Sequence, residues 1–210
     1  MSKLLSYSVE DGIAVLIIDN PPVNALSQPV RHAIQDALQA AQTDDAVVGL
    51  VIACAGRTFS AGADIREFNA PVKGPSLPVL IDEIEASKKP VVVALHGTTL
   101  GGGFELAIGC HYRIADEGTR VGLPEVHLGL IPGAGGTQRL PRLIGAEAAI
   151  EAITTGRHIP APEALELGAL DEVVESDVIA SAISAARRLS SSNKVKRTCS
   201  REVDPESIPD

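Results

Sequence analysis

Glu105 and Glu125 are carboxylates set in otherwise apolar stretches, GGGFELAIGC and GLPEVHLGLIPG. An unpaired charge is costly in such surroundings, so both are candidates for general acid/base work. Glu105 also lies in the first turn of a helix that glycines open. A carboxylate there can simply complement the helix dipole. Spacing alone does not show that the two carboxylates meet.

Two Gly-bearing turns accompany them. Phe59 to Arg66 (FSAGADIR) follows a strand, and Leu100 to Leu106 (LGGGFEL) joins a strand to a helix. Glycine lets backbone approach a ligand and turn its N–H groups into a cavity. The first N–H groups of a helix lack intrahelical partners and favour negative charge. Each turn could therefore give one N–H to a developing oxyanion. Without a ligand, each is a tight βα turn.

Other chemistries lack their residues. The chain has no GxxxxGK[ST] phosphate loop and no GxSxG nucleophile elbow, and neither GGGFEL nor GAGGTQ satisfies GxGxxG. His32, His96, His111, His127 and His158 form no HExxH or HxH pair, so no metal site is expected. Cys54, Cys110 and Cys199 stand far apart with no CxxC pair, which fits free thiols in a reducing compartment.

The elements that must carry these residues alternate. Ile13 to Ile18, Val47 to Cys54 and Val91 to Leu95 read as buried strands. Val30, Ala33, Ile34, Ala37, Leu38 and Ala41 recur at helical spacing, so a helix is predicted over 28–42, with Ser27 as N-cap and Pro29 in its first turn. Residues 56–69 read as a polar loop and 76–87 as a helix. A further helix runs from the Gly101–Gly103 turn to about Cys110. Tyr112 to Ala115 and Arg120 to Gly122 read as short strands. From Gly136 the chain reads as mostly helical, with a brief strand near 171–174. The fold class is α/β with crossover connections.

Length and composition set the frame. The chain has 210 residues, 45% hydrophobic and 21% charged, which suits one globular domain of moderate size. Lys and Arg total 18 against 27 Asp and Glu, a net charge of −9, which argues against a nucleic-acid groove or polybasic membrane patch. Aromatics are 2%, too few for a base-stacking platform. No apolar stretch is long enough to span a bilayer, and neither end reads as a secretory, peroxisomal or ER address. A cytoplasmic location is expected, with a peroxisomal one only if a longer parent carries an address absent here. After Leu189 come three serines, a basic run from Lys194 to Arg201, Pro205 and Pro209, so residues 191–210 read as a linker-like tail.

The order of SAGADI, LGGGFELA and LPEVHLGLIPGAGGTQRL resembles the enoyl-CoA hydratase/isomerase (crotonase) family over residues 10–190. NPPVNALS and GCHYRIA, with His111 where many single-function relatives have Asp, are similar to the N-terminal part of bifunctional enoyl-CoA hydratase/3-hydroxyacyl-CoA dehydrogenases. The resemblance implies a spiral of ββα repeats over 1–190. It also implies hydration of a trans-2-enoyl-CoA in fatty-acid β-oxidation.

By motif position it puts the oxyanion N–H groups on Ala63 and Gly102 and the acid/base carboxylates on Glu105 and Glu125. It puts CoA contacts on Ala61, Ala63, Asp64, Ile65, Arg66 and Gly102, with Gly133 at the turn that shapes the water site. No metal or redox cofactor is implied, since CoA enters with the substrate. A Δ3-Δ2-enoyl-CoA isomerase using Glu125 alone, or a non-catalytic CoA-ester binder, are the alternatives. The family's usual C-terminal helices, which cover the acyl end and often form subunit contacts, are absent. The expected partners are therefore the acyl-CoA substrate, further copies of the chain, or a covalent downstream dehydrogenase region.

Overall fold

The computed structural model describes residues 4–67, 71, 74–175, 177–192 and 195–209. Its strands are β1 (Leu5–Glu10), β2 (Ile13–Ile18), β3 (Gly49–Cys54), β4 (Val91–Leu95), β5 (Thr98–Leu100), β6 (Tyr112–Asp116), β7 (Arg120–Gly122), β8 (Ile159–Pro160) and β9 (Glu172–Val174). Its helices are α1 (Gln28–Thr43), α2 (Leu77–Ala86), α3 (Gly102–Gly109), α4 (Gly136–Ile144), α5 (Ala146–Thr155), α6 (Ala161–Leu167) and α7 (Val178–Ser192).

The larger sheet has the order β1-β2-β3-β4-β6-β9, antiparallel only between β1 and β2. The smaller has the order β5-β7-β8. β4 runs into β5 and then α3, and β6 runs into β7 and then a short 3-10 turn and α4. After β3, Ser60 bridges to Thr99 and Ala63 to Leu26 before α2 begins. Each pass thus adds one strand to the large sheet and one short extended piece to the small one, then a helix. That is the ββα repeat implied by the resemblance.

β3 and β4 are buried along their whole length, as parallel strands covered on both faces must be. Leu50, Ile52 and Cys54 point into one core, and Val51 and Ala53 into another. The second core is closed by α7 through Ala182, Ala185 and Ala186. These small side chains let the helix approach closely: a Cβ on Gly49 would already stand 3.4 Å from the Ala186 carbonyl. Each fully buried aliphatic side chain in these cores contributes about 1.5–3 kcal/mol.

Two local expectations are revised. Ser27 stands at the N-cap of α1, but its side chain accepts no capping hydrogen bond. The Gln28 N–H donates instead to Glu67 Oε1 at 2.7 Å, and Arg31 pairs with Glu67 Oε2 at 2.9 Å. A distant carboxylate caps the helix and ties it to the loop after Ala63. The strands β1 and β5 are also additions to the sequence reading. β1 pairs on one side only and is polar on alternate residues, and β5 is three residues long. Of the 56–69 loop, residues 68 and 69 lie outside the described residues.

The segment read as linker-like is mostly exposed in its described part, but it is tied to the domain at a few points. Ser190–Ser192 close α7. Thr198 is buried and its hydroxyl donates to the Ile108 carbonyl at 3.0 Å, while Ser207 Oγ accepts from the Ala146 N–H at 2.8 Å. Residues 193, 194 and 210 are outside the described residues.

Candidate active site

Ser60 begins the construction. It is fully buried, donates to the Asn24 carbonyl at 2.8 Å, and its oxygen accepts the Gly62 N–H at 3.1 Å. Asn24 in turn donates to the carbonyls of Ala55 and Thr58 at 2.8 and 2.9 Å. The Gly62 carbonyl is held by the Leu26 N–H at 2.9 Å. A trans peptide points its N–H opposite to its C=O, so the Ala63 N–H is turned away from Leu26. Gly62 has φ +108, a value closed to most side chains.

On the facing turn, the Gly101 carbonyl accepts the Glu105 N–H at 2.9 Å as α3 begins. That leaves the Gly102 N–H projecting backwards from the helix start. Neither the Ala63 nor the Gly102 N–H bonds to any described residue. A Cβ on Gly102 would stand 3.1 Å from the Ala63 nitrogen, so the two amides flank one small space.

Glu105 projects from α3, every residue of which is buried. Its Oε1 accepts the Ala134 N–H at 2.7 Å and the Gly136 N–H at 2.8 Å. Burial raises its pKa, and the two N–H groups and Arg139 offset part of that rise. The anion is thus held in one orientation by fixed donors.

Glu125 lies in the 3-10 turn Pro124–Leu128. Its Oε1 is close to Gly101, where a Cβ would stand 3.1 Å away, and its buried Oε2 has no hydrogen-bond partner. Burial, with the charge of Glu105 nearby, pushes its pKa up to about 7. One carboxylate is clamped by amides and the other is poised near neutrality, a division suited to a base and a proton donor.

Both carboxylates and both amides line one cavity of about 320 Å³, together with Ala61 and Ile65. Gly133 lines it too. The amides that hold Glu105 come from Ala134 and Gly136, two contacts that the sequence reading did not name. The repeated glycines of GAGG are the signal that could have found them. Asp64 and Arg66, also expected at the CoA end, flank Ile65 in sequence but are not among the residues that line the cavity. Arg66 grips Asp64 through two side-chain bonds of 2.9 and 2.7 Å, holding the buried Asp64 carboxyl below its usual range. The Arg66 side chain is otherwise exposed. Among the described residues, no cluster of three or more His, Cys, Asp or Glu could hold a metal ion.

His111 has a structural place. Its Nδ1 accepts the Val91 N–H at 2.9 Å, so the ring proton sits on Nε2 and donates to the Glu85 carbonyl at 3.1 Å. Burial lowers its pKa and keeps it neutral.

The sequence profile of the enoyl-CoA hydratase/isomerase family matches residues 8–206. The chain belongs to that family. It is 57% identical over 169 residues to the peroxisomal bifunctional enzyme of Danio rerio, covering 80% of this chain and 24% of that protein. A probable enoyl-CoA hydratase of Bacillus subtilis is 46% identical over 172 residues, covering 78% and 66%. The crystal structure of an enoyl-CoA hydratase from Bacillus anthracis superposes with a TM-score of 0.83 at 34% identity, covering 90% of this chain and 77% of that one. This family member therefore has the crotonase fold, and it spans about a quarter of the length of the bifunctional relatives it matches.

Proposed function

We propose that the chain adds water across the double bond of a trans-2-enoyl-CoA, giving a 3-hydroxyacyl-CoA. The observation that carries the reading is the convergence of two unpaired amides and two carboxylates on one cavity. The Ala63 and Gly102 N–H groups receive the thioester oxygen as it gains negative charge. Glu105 takes a proton from water as its oxygen bonds to Cβ, and Glu125 gives a proton to Cα. The addition needs no external oxidant or reductant, so the proposal includes no redox cofactor, and CoA enters as part of the substrate. Ile65 lines the cavity, and the backbone of Asp64 and Ile65 with the exposed Arg66 guanidinium is proposed to meet the CoA moiety.

The pKa of Glu125 and its unpaired Oε2 favour a second activity at the same site, a double-bond shift by proton transfer on one carboxylate. Leu128, Leu130 and Ile131 are exposed at the cavity rim. With the greater length of the relatives, they support covering of the acyl end by a second copy or a following domain. No described helix is long and apolar enough to cross a membrane, and several relatives are named peroxisomal. A cytoplasmic or peroxisomal site of action is proposed on that basis.

Loss of the absorbance of an α,β-unsaturated acyl-CoA on adding the protein tests the reading, with the 3-hydroxy product identified by mass. Binding of the ester with no change in absorbance would leave a binder in place of an enzyme.

A further inference from the structure

Arg139 lies on α4, outside the catalytic set, and is 7% exposed. Its Nε and Nη2 donate to Glu85 Oε2 at 3.0 and 2.7 Å, and Nη2 also reaches Asp82 at 2.7 Å. Its Nη1 donates to the Ala134 carbonyl at 3.3 Å. Ala134 and Gly136 are the residues whose N–H groups hold Glu105. Gly135, between them, has φ +99, and a Cβ there would fall on Arg139 Nη1. The loop is wrapped round the guanidinium.

Glu85 is itself finished by a remote segment. It is 4% exposed, and its Oε1 accepts the Cys199 N–H at 2.7 Å. Arg197 donates to the Ala86 carbonyl at 3.0 Å, and Thr198 to the Ile108 carbonyl on the helix that carries Glu105. The strap 197–199 thus joins the end of α2 to the end of α3, behind the site.

We infer that Arg139 is a positioning residue for Glu105, and that the strap 197–199 sets Arg139 by completing the Glu85 carboxylate. The inference rests on the acid/base role proposed above for Glu105. A planar fork that meets a carboxylate and a carbonyl at once is a task for Arg and not Lys. Taking two charges out of water makes such a pair a weak source of stability but a strict setter of geometry. A small misplacement of a carboxylate that must face a bound double bond costs rate rather than binding.

The test uses the purified chain, Thr198→Val and Arg139→Lys. Two readouts are taken: steady-state hydration of an enoyl-CoA, and hydrogen exchange at the amides of Ala134, Gly136 and the β4 residue Val93. The inference expects kcat to fall about tenfold or more in both variants with KM within about twofold. It expects faster exchange at Ala134 and Gly136 and unchanged exchange at Val93. Wild-type kcat in folded variants, or wild-type exchange at Ala134 and Gly136, overturns it. Faster exchange at all three amides would make the strap a general stability element and also overturns it. If the wild-type chain hydrates nothing, the functional proposal fails, and the exchange readout still decides the coupling by the same criteria.

Discussion

The Gly136 N–H meets Glu105 Oε1 at 2.8 Å, although the two residues stand 31 positions apart on different helices. A Cβ on Gly136 would lie 3.0 Å from that same oxygen. The contact therefore requires both the N–H at the start of α4 and the missing side chain. One carboxylate oxygen is taken up by the Ala134 and Gly136 N–H groups, which leaves Oε2 for the role proposed for Glu105.

This division predicts how the two carboxylates differ. Glu125→Gln should abolish hydration and any double-bond shift while the fold persists. Glu105→Gln should reduce hydration more than the shift. Rates of both reactions on purified variants check this, and near-wild-type turnover by Glu125→Gln would remove Glu125 from the mechanism.

The Gly102 N–H can be deleted only by changing the backbone. Gly102→Pro removes it and should lower kcat by about 10²–10³-fold, the cost of one oxyanion donor in comparable sites. Circular dichroism establishes that the variant folds. Retained activity in a folded variant would place the oxyanion elsewhere.

Glu125 carries a pH signature. Its pKa is raised to about 7 in the folded chain, so the native state binds a proton that the unfolded chain has already released. The stability this confers is full below the unfolded carboxylate value and is lost as pH rises through about 7. Glu125→Gln should therefore raise the melting temperature more at pH 8 than at pH 5. If proton donation to Cα limits the rate, kcat should also fall above neutrality. A melting difference independent of pH would contradict the raised value.

His111 has the opposite sign. Burial lowers its pKa, and its Nδ1 must stay unprotonated to accept the Val91 N–H. Its contribution is present above the unfolded value of about 6.5 and is lost as pH falls below it. Denaturant unfolding from pH 8 down to pH 5 should show this loss, and His111→Asn should flatten it. An equal slope in the variant would assign the pH dependence to other groups.

The sequence by itself determined the alternation of buried strands and helices, and the resemblance supplied the ββα repeat. The continuous runs Val91–Leu95 and Val47–Cys54 have no polar face, so a doubly covered parallel strand is the arrangement that buries them. The glycines before Phe104 and the carboxylate of Glu105 in an apolar helix marked where chemistry was expected, because local composition alone makes them expensive elsewhere. For Ala134 and Gly136 the only local signal is the repeated glycine of GAGG, which marks a close turn but not its partner, since a backbone N–H has no residue identity. Glu67 as the cap of α1, Arg139 against the Ala134 carbonyl and Thr198 bonded to the Ile108 carbonyl of α3 were decided only by tertiary structure. Each acts on a partner far away in the chain. Long-range hydrogen bonds answer to the positions of folded elements, whereas periodicity and turn chemistry report only on neighbours a few residues apart.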